Sequence, residues 1–132
     1  MKEPAPEPAI VDLRRRASFR HWTRVALRYS DQDALGHVNN GAIPMCLEEA
    51  RVQLVYPVMH AHGGAHIDLV IARVVVDYLL EMSYPGTVEI GTRIARLGTR
   101  SFTTGHGVFM AGSDACSGTA ECVLVFFDTK AR

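Results

Sequence analysis

Tyr29-Ser30-Asp31-Gln32-Asp33-Ala34-Leu35-Gly36-His37-Val38-Asn39-Asn40-Gly41 is a polar, glycine-bearing stretch too rich in turn formers to be a regular element. Before it, Thr23, Val25, Leu27 and Tyr29 alternate with Arg24, Ala26 and Arg28, the period of two that marks a half-buried strand. After it, Ile43, Cys46, Leu47, Ala50 and Leu54 recur at helical spacing. Asn39 or Asn40 is placed to cap that helix, Pro44 suits its first turn, and Glu48 and Glu49 come early enough to favour its positive end. Pro57 is expected to end or kink it, leaving a helix of about 13 residues, ~20 Å long.

Beyond a His/Gly connector from His60 to His66 the chain reads as β structure throughout. Val70, Ala72, Val74, Val76, Tyr78, Leu80 and Met82 alternate with Arg73, Asp77 and Glu81. Tyr84-Pro85-Gly86-Thr87, Gly98-Thr99-Arg100 and Ala111-Gly112-Ser113-Asp114 are turns by composition. They separate strands expected at Val88–Leu97, Ser101–Met110 and Cys116–Phe127. The order is strand, helix, then four strands joined by short turns, which demand antiparallel neighbours and an α+β class. One helix cannot cover both faces of a five-stranded sheet, and ten-residue strands leave long edges, so a homo-oligomer is expected.

The 132 residues suit one domain, here 16–132, preceded by a disordered or extended arm over 1–15. Fourteen basic and fourteen acidic side chains cancel, which argues against a dedicated nucleic-acid binder. No apolar run reaches the ~20 residues of a membrane span, and no signal-peptide core follows Met1. Cys46, Cys116 and Cys122 lack metal spacing and read as reduced thiols of a cytoplasmic protein, Cys46 packing as a small hydrophobe. Arg14 to Arg16 read as a solvated arm, with anion attraction as the alternative. Phe19 and Trp22 read as a hydrophobic anchor for it rather than a stacking surface for adenine. His106 reads as a core-face or interface histidine.

Asp31 and Asp33 are two residues apart and precede a glycine and a helix start, where unpaired N–H groups favour developing negative charge. A carboxylate acting on a carbonyl beside such donors makes a workable acyl-transfer site.

The Asp-x-Asp-x-x-Gly-His-Val-Asn-Asn run, followed by Glu48-Glu49-Ala50-Arg51, resembles the signature of hotdog-fold thioesterases, in the 4-hydroxybenzoyl-CoA thioesterase and acyl-CoA thioester hydrolase branch. The likeness continues through Arg73-Val74-Val75-Val76-Asp77-Tyr78, Tyr84-Pro85-Gly86 and Arg100-Ser101-Phe102, covering roughly Val25 to Asp128. The resemblance implies a curved antiparallel sheet around a central helix, in dimers or tetramers with the active site at the subunit interface. It makes Asp33 the catalytic carboxylate, as nucleophile or as base to a water, with a backbone N–H at or near Asn40 on the thioester oxygen. It puts His37 and Asn39 on the same pocket and Arg100 and Ser101 on the CoA phosphates. No metal or other cofactor is implied.

Relatives often carry a Tyr where this chain has Ile43, so an aromatic pocket wall is expected to be missing. Glu48 or Glu49 is a second catalytic candidate by likeness to the wider superfamily; the plainer reading is a first-turn dipole partner or an ion pair with Arg51. His60, His62 and His66 read as pocket lining or exposed side chains, with Zn²⁺ binding as the alternative. The expected activity is hydrolysis of an acyl-CoA to CoA and a carboxylic acid. The alternatives are a thioester borne by acyl carrier protein and a non-catalytic acyl-CoA-binding module.

Overall fold

A computed structural model describes residues 10–62 and 66–130. The expectations for the first nine residues and for Gly63-Gly64 lie outside them. The alternating stretches form β1 (His21–Ala26), β2 (Ile67–Tyr78), β3 (Thr87–Leu97), β4 (Ser101–Met110) and β5 (Cys116–Asp128), with one helix, α1 (Ala42–Ala61), between β1 and β2. All pairings are antiparallel, in the order β1-β3-β4-β5-β2. Val88, Ile90, Val108 and Ala120 face Ala42, Ile43, Cys46, Leu47 and Ala50 of the helix. A second cluster, Val55 with Phe102, Cys122 and Leu124, continues the core under the far half of α1. This is the hotdog arrangement: a curved five-stranded sheet around a central helix.

Four expectations are corrected. Pro57 does not end α1, which runs 20 residues. Proline loses its own N–H and crowds the carbonyl four residues back, but here it stands near the C-terminal end, where Leu54, Val55 and Met59 still pack in the second cluster. β2 and β3 do not pair, although consecutive. Residues 79–86 carry the chain across β5 and β4, about 14 Å at normal strand spacing and well within the reach of eight residues. β1 stops at Ala26, because Leu27 N–H turns to Gly86 O (2.9 Å) and Tyr29–Asp31 form a 3₁₀ turn. Glu48 and Glu49 lie beyond the first turn of α1 and do not pair with Arg51; Glu49 accepts from Gln53 Nε2 (2.9 Å).

The face of the sheet away from α1 is partly covered by residues 10–20. Leu13 and Phe19 lie over Gly91, Gly105 and Gly107, whose missing Cβ atoms leave the room. Phe19 and Trp22 stack edge to face at 5.7 Å, as expected of an anchor. Arg16 is not solvated. Its guanidinium lies over Trp22 and Phe109 (5.1 and 4.7 Å to the ring centroids) and donates to Glu89 Oε1 (2.9 Å) and Ser113 O (2.7 Å). Cation–π attraction and a carboxylate hold it there.

His106 is fully buried on the helix side. Its ring nitrogens meet Thr92 Oγ1 (3.1 Å) and Thr104 Oγ1 (2.8 Å), so both are satisfied by neutral partners. Burial first, and then the charge of Arg51, push its pKa down to about 3.

Two predictions follow from this packing. A Cβ on Gly107 meets Leu13 O at 2.5 Å and Phe19 Cε2 at 2.7 Å. Gly107→Ala is therefore expected to cost roughly 1–3 kcal/mol, read as a lower urea midpoint. The unfolded chain protonates His106 below pH 6.5 while the fold refuses the proton until about 3. Stability is thus expected to fall by about 2 kcal/mol between pH 7 and 5 from this group alone, and His106→Gln should flatten the pH dependence of urea unfolding by that amount.

Candidate active site

The loop from β1 to α1 is shaped by Asp31. Its carboxylate accepts from the Arg28 N–H (2.7 Å) and from Arg28 Nη2 (2.9 Å), closing a box around the 3₁₀ turn. The Arg28 guanidinium, and then its backbone N–H, hold the Asp31 carboxyl below the usual carboxylate range. Next the chain doubles back. Asp33 N–H donates to His37 O (2.8 Å), Gly36 N–H donates to Asp33 O (3.1 Å), and Gln32 bridges Val38. Gly36 takes φ +80°, which a side chain rarely tolerates. Asn39 N–H returns to Asp31 O (2.7 Å) and Val38 N–H to Met82 O (2.8 Å), tying the loop to the 79–86 crossing.

Asp33 stands at the tip of this double turn. Its Oδ1 accepts from the N–H groups of Leu35 (2.9 Å) and His37 (3.2 Å), and the residue is exposed. His37 Nε2 is 3.0 Å from Glu81 Oε2. The helix start lies opposite. The cap position falls on Gly41 without a side-chain cap; Asn39 Oδ1 accepts from Gly41 N–H (2.7 Å) instead, and Ala42 N–H donates to Asn39 O (2.9 Å). The Asn40 N–H has no hydrogen-bond partner among the described residues, while its carbonyl accepts from Tyr78 Oη (2.9 Å).

A cavity of about 270 Å³ joins these groups, lined by Asp33, His37, Asn40, Ile43, Tyr78 and Glu81 among others. Four of the expected site residues therefore meet: Asp33, His37, Asn40 and Ile43. Asn39 does not line the cavity, because its side chain is spent on Gly41 N–H. Arg100 and Ser101 are not brought there either. They sit where Arg100 O accepts from Phe126 N–H (2.9 Å), nearer the Ile67 end of β2, about nine residues or roughly 30 Å along the sheet from Tyr78. The aromatic wall expected to be missing at Ile43 is supplied by Tyr78. Periodicity alone made Tyr78 one member of an alternating run expected to continue to Met82; β2 instead ends at Tyr78, whose hydroxyl reaches the Asn40 carbonyl beside the helix start. Glu81 was likewise legible only as a polar member of an alternating run.

Chemically, an exposed aspartate and a residue just ahead of the helix cap whose N–H is unpaired among the described residues share one cavity with a histidine, a tyrosine and an isoleucine. That arrangement suits attack on a carbonyl whose oxygen gains charge.

The family model described as the thioesterase-like superfamily matches residues 27–132. Among solved structures, a proposed thioesterase of Pseudomonas aeruginosa is 30% identical with a TM-score of 0.76, over 83% of this chain and 85% of that one. A proposed acyl-CoA thioesterase of Xanthomonas campestris is 29% identical with a TM-score of 0.70, over 82% and 92%. A predicted thioesterase of Bacillus stearothermophilus is 28% identical with a TM-score of 0.73, over 83% and 80%. No curated protein matches the chain.

The two aspartates are expected to separate on mutation. Asp31→Asn loses the charge-assisted contacts to Arg28 and should cost about 1–3 kcal/mol at pH 7. That stabilisation is present above the ordinary carboxylate range and is lost as pH falls through the lowered folded value of Asp31. Asp33→Asn keeps an oxygen for Leu35 and His37 and should change stability by less than about 0.5 kcal/mol. Thermal unfolding of both variants at pH 7 and 4 checks this.

Proposed function

Because the chain belongs to the thioesterase-like superfamily and is by that membership a thioester hydrolase, we propose that its thioester is an acyl-CoA, cleaved to CoA and a carboxylic acid with Asp33 as the catalytic carboxylate. The observation that carries this reading is that Asp33 and Asn40 line one cavity, the Asn40 N–H being without a hydrogen-bond partner among the described residues. In this reading the thioester carbonyl lies between them, its oxygen toward the Asn40 N–H and the positive end of α1, which stabilise the charge of the tetrahedral state. Asp33 either attacks the carbonyl carbon, expelling CoA thiolate and leaving an anhydride that water opens, or takes a proton from the attacking water. His37, beside Glu81, is positioned to orient that carboxylate or the substrate. The Xanthomonas relative's description as an acyl-CoA thioesterase supports CoA over a carrier protein. Tyr78 weakens the case for a non-catalytic module, since that case rested on the missing aromatic wall.

The nucleotide end of CoA is assigned to Arg100 and Ser101 of a second copy. β2 is an unpaired edge of 12 residues, with Val70, Ile71, Val74, Val75 and Tyr78 all exposed. Such an edge invites pairing with another strand. Antiparallel pairing of two β2 strands about their midpoint carries the Ile67 end of one to the Tyr78 end of the other. The partner's Arg100 then comes within roughly 15 Å laterally of the cavity, across three strand spacings and within the span of the pantetheine arm. No helix among the described residues is long and apolar enough to cross a membrane, and a cytoplasmic location is part of the same proposal.

Thiol release from aliphatic and aromatic acyl-CoAs tests the central claim. Asp33→Asn is expected to lower kcat by at least ~10²-fold on every substrate the wild type accepts. Equal rates for the two proteins remove Asp33 from the mechanism. Faster turnover of acyl carrier protein thioesters would move the substrate to that class.

A further inference from the structure

His37 sits on the loop whose tip carries Asp33, and its backbone is fixed there from both sides. Its N–H donates to Asp33 Oδ1 (3.2 Å) and its carbonyl accepts from Asp33 N–H (2.8 Å). These bonds leave the imidazole to be placed by its own two torsions. Among the described residues the ring has one polar partner, Glu81, whose Oε2 lies 3.0 Å from Nε2. An ionised carboxylate only accepts, so Nε2 carries a proton, and on a neutral ring the lone pair is then on Nδ1. Nδ1 of His37 has no hydrogen-bond partner among the described residues.

The Glu81 side chain is 74% exposed, and an ion pair at a surface gains little when two loose side chains must be immobilised to make it. Here the backbones are already held. Val38 N–H donates to Met82 O (2.8 Å), one residue on from His37 and one on from Glu81, and Met82 is buried. On the other side of Glu81, the N–H groups of Leu79 and Leu80 both donate to Ser117 O (2.9 and 3.1 Å). The His37–Glu81 contact therefore closes beside a bridge the main chain has already made. Glu81 forms no other ion pair among the described residues, and both residues line the Asp33 cavity. Two acids thus border one cavity with different partners: Asp33 meets backbone N–H groups, and Glu81 meets an imidazole.

We propose that Glu81 is a positioning residue of the hydrolysis: accepting from His37 Nε2–H, it fixes the tautomer and the plane of the ring, so that Nδ1 is the nitrogen that accepts from the reacting water. This rests on the reading of the cavity as the site of thioester cleavage. Both routes drawn for Asp33 use a water, which opens the anhydride in one and attacks the thioester in the other, and either water needs an acceptor to aim it. Glu81 takes no proton in this scheme. It stays ionised and holds the ring, as a carboxylate behind a histidine does in other hydrolytic sites.

Steady-state kinetics of the full chain on its best acyl-CoA tests this, with thermal unfolding as the control for folding. Glu81→Met removes the acceptor at similar length and is expected to lower kcat at least ~10-fold, with KM within about threefold and the melting temperature held. Glu81→Gln keeps an oxygen for Nε2–H and is expected to be at least about threefold faster than Glu81→Met. In a His37→Ala background, Glu81→Met is expected to change kcat by less than about twofold, because its effect passes through the ring. A Glu81→Met or His37→Ala enzyme as fast as the wild type overturns the proposal. So does a Glu81→Met loss that is equal with and without the His37 ring, or a Glu81→Gln enzyme as slow as Glu81→Met. Asp33→Asn measured alongside keeps the two readings apart: full activity there removes Asp33 and leaves the His37–Glu81 cycle to be judged by its own rates, while a wild type that cleaves no acyl-CoA overturns both.

Discussion

The contact between Arg28 and Asp31 is the constraint on which the rest of the site depends. Two hydrogen bonds to one carboxylate fix the chain where β1 ends, and the next ten residues are placed from there by backbone bonds. Asp31 is bound to its neighbours and nearly buried, which leaves Asp33, two residues on, exposed at a turn with its carboxylate at the cavity. Identical residue types thus take opposite parts. One spends its charge on structure, and the other stands exposed at a cavity.

The helix start shows the same economy. Asn39 takes the Gly41 N–H through its side chain and the Ala42 N–H through its carbonyl, and Tyr78 takes up the Asn40 carbonyl. The Asn40 N–H is left over. An unsatisfied donor at a helix N-terminus is usually covered by a cap or by water. Its residue lines the same cavity as Asp33 and Ile43, and in the proposed reaction this N–H stabilises the charge on the carbonyl oxygen.

Much of this was legible in the sequence, for definable reasons. β3, β4 and β5 were read to within a residue, because alternation marks a strand and glycine-rich turns punctuate it. Asp33, His37 and Asn40 were legible as a group because they lie within eight residues of one another in a single loop. What failed was what depends on neighbours distant in sequence. Alternation says which face a residue occupies and not which strand lies beside it, so the crossing from β2 to β3 was hidden, and with it Tyr78. Arg16 looked solvated because the sequence shows its charge but not Trp22 and Phe109 beneath it. Pro57 was given a helix-breaking weight that holds mid-helix and fades near a C-terminus backed by apolar packing. Arg100 and Ser101 were grouped with Asp33 by motif order, which cannot tell whether two motifs serve one site from the same copy or from two.

The two sides of the sheet are finished differently, and that asymmetry orders the remaining features. Away from the helix, Leu13, Arg16 and Phe19 close the surface over a lane of glycines, and β1 shields part of β3. On the β2 side little is closed. β2 is apolar and its outer edge is unpaired among the described residues, and the Asp33 cavity is walled by Tyr78, the last residue of that strand. In a lone chain the two are an aggregation-prone edge and an open cleft. They lie along one strand, and the proposed pairing of that strand with its own copy would close the edge and bring a second chain beside the cleft.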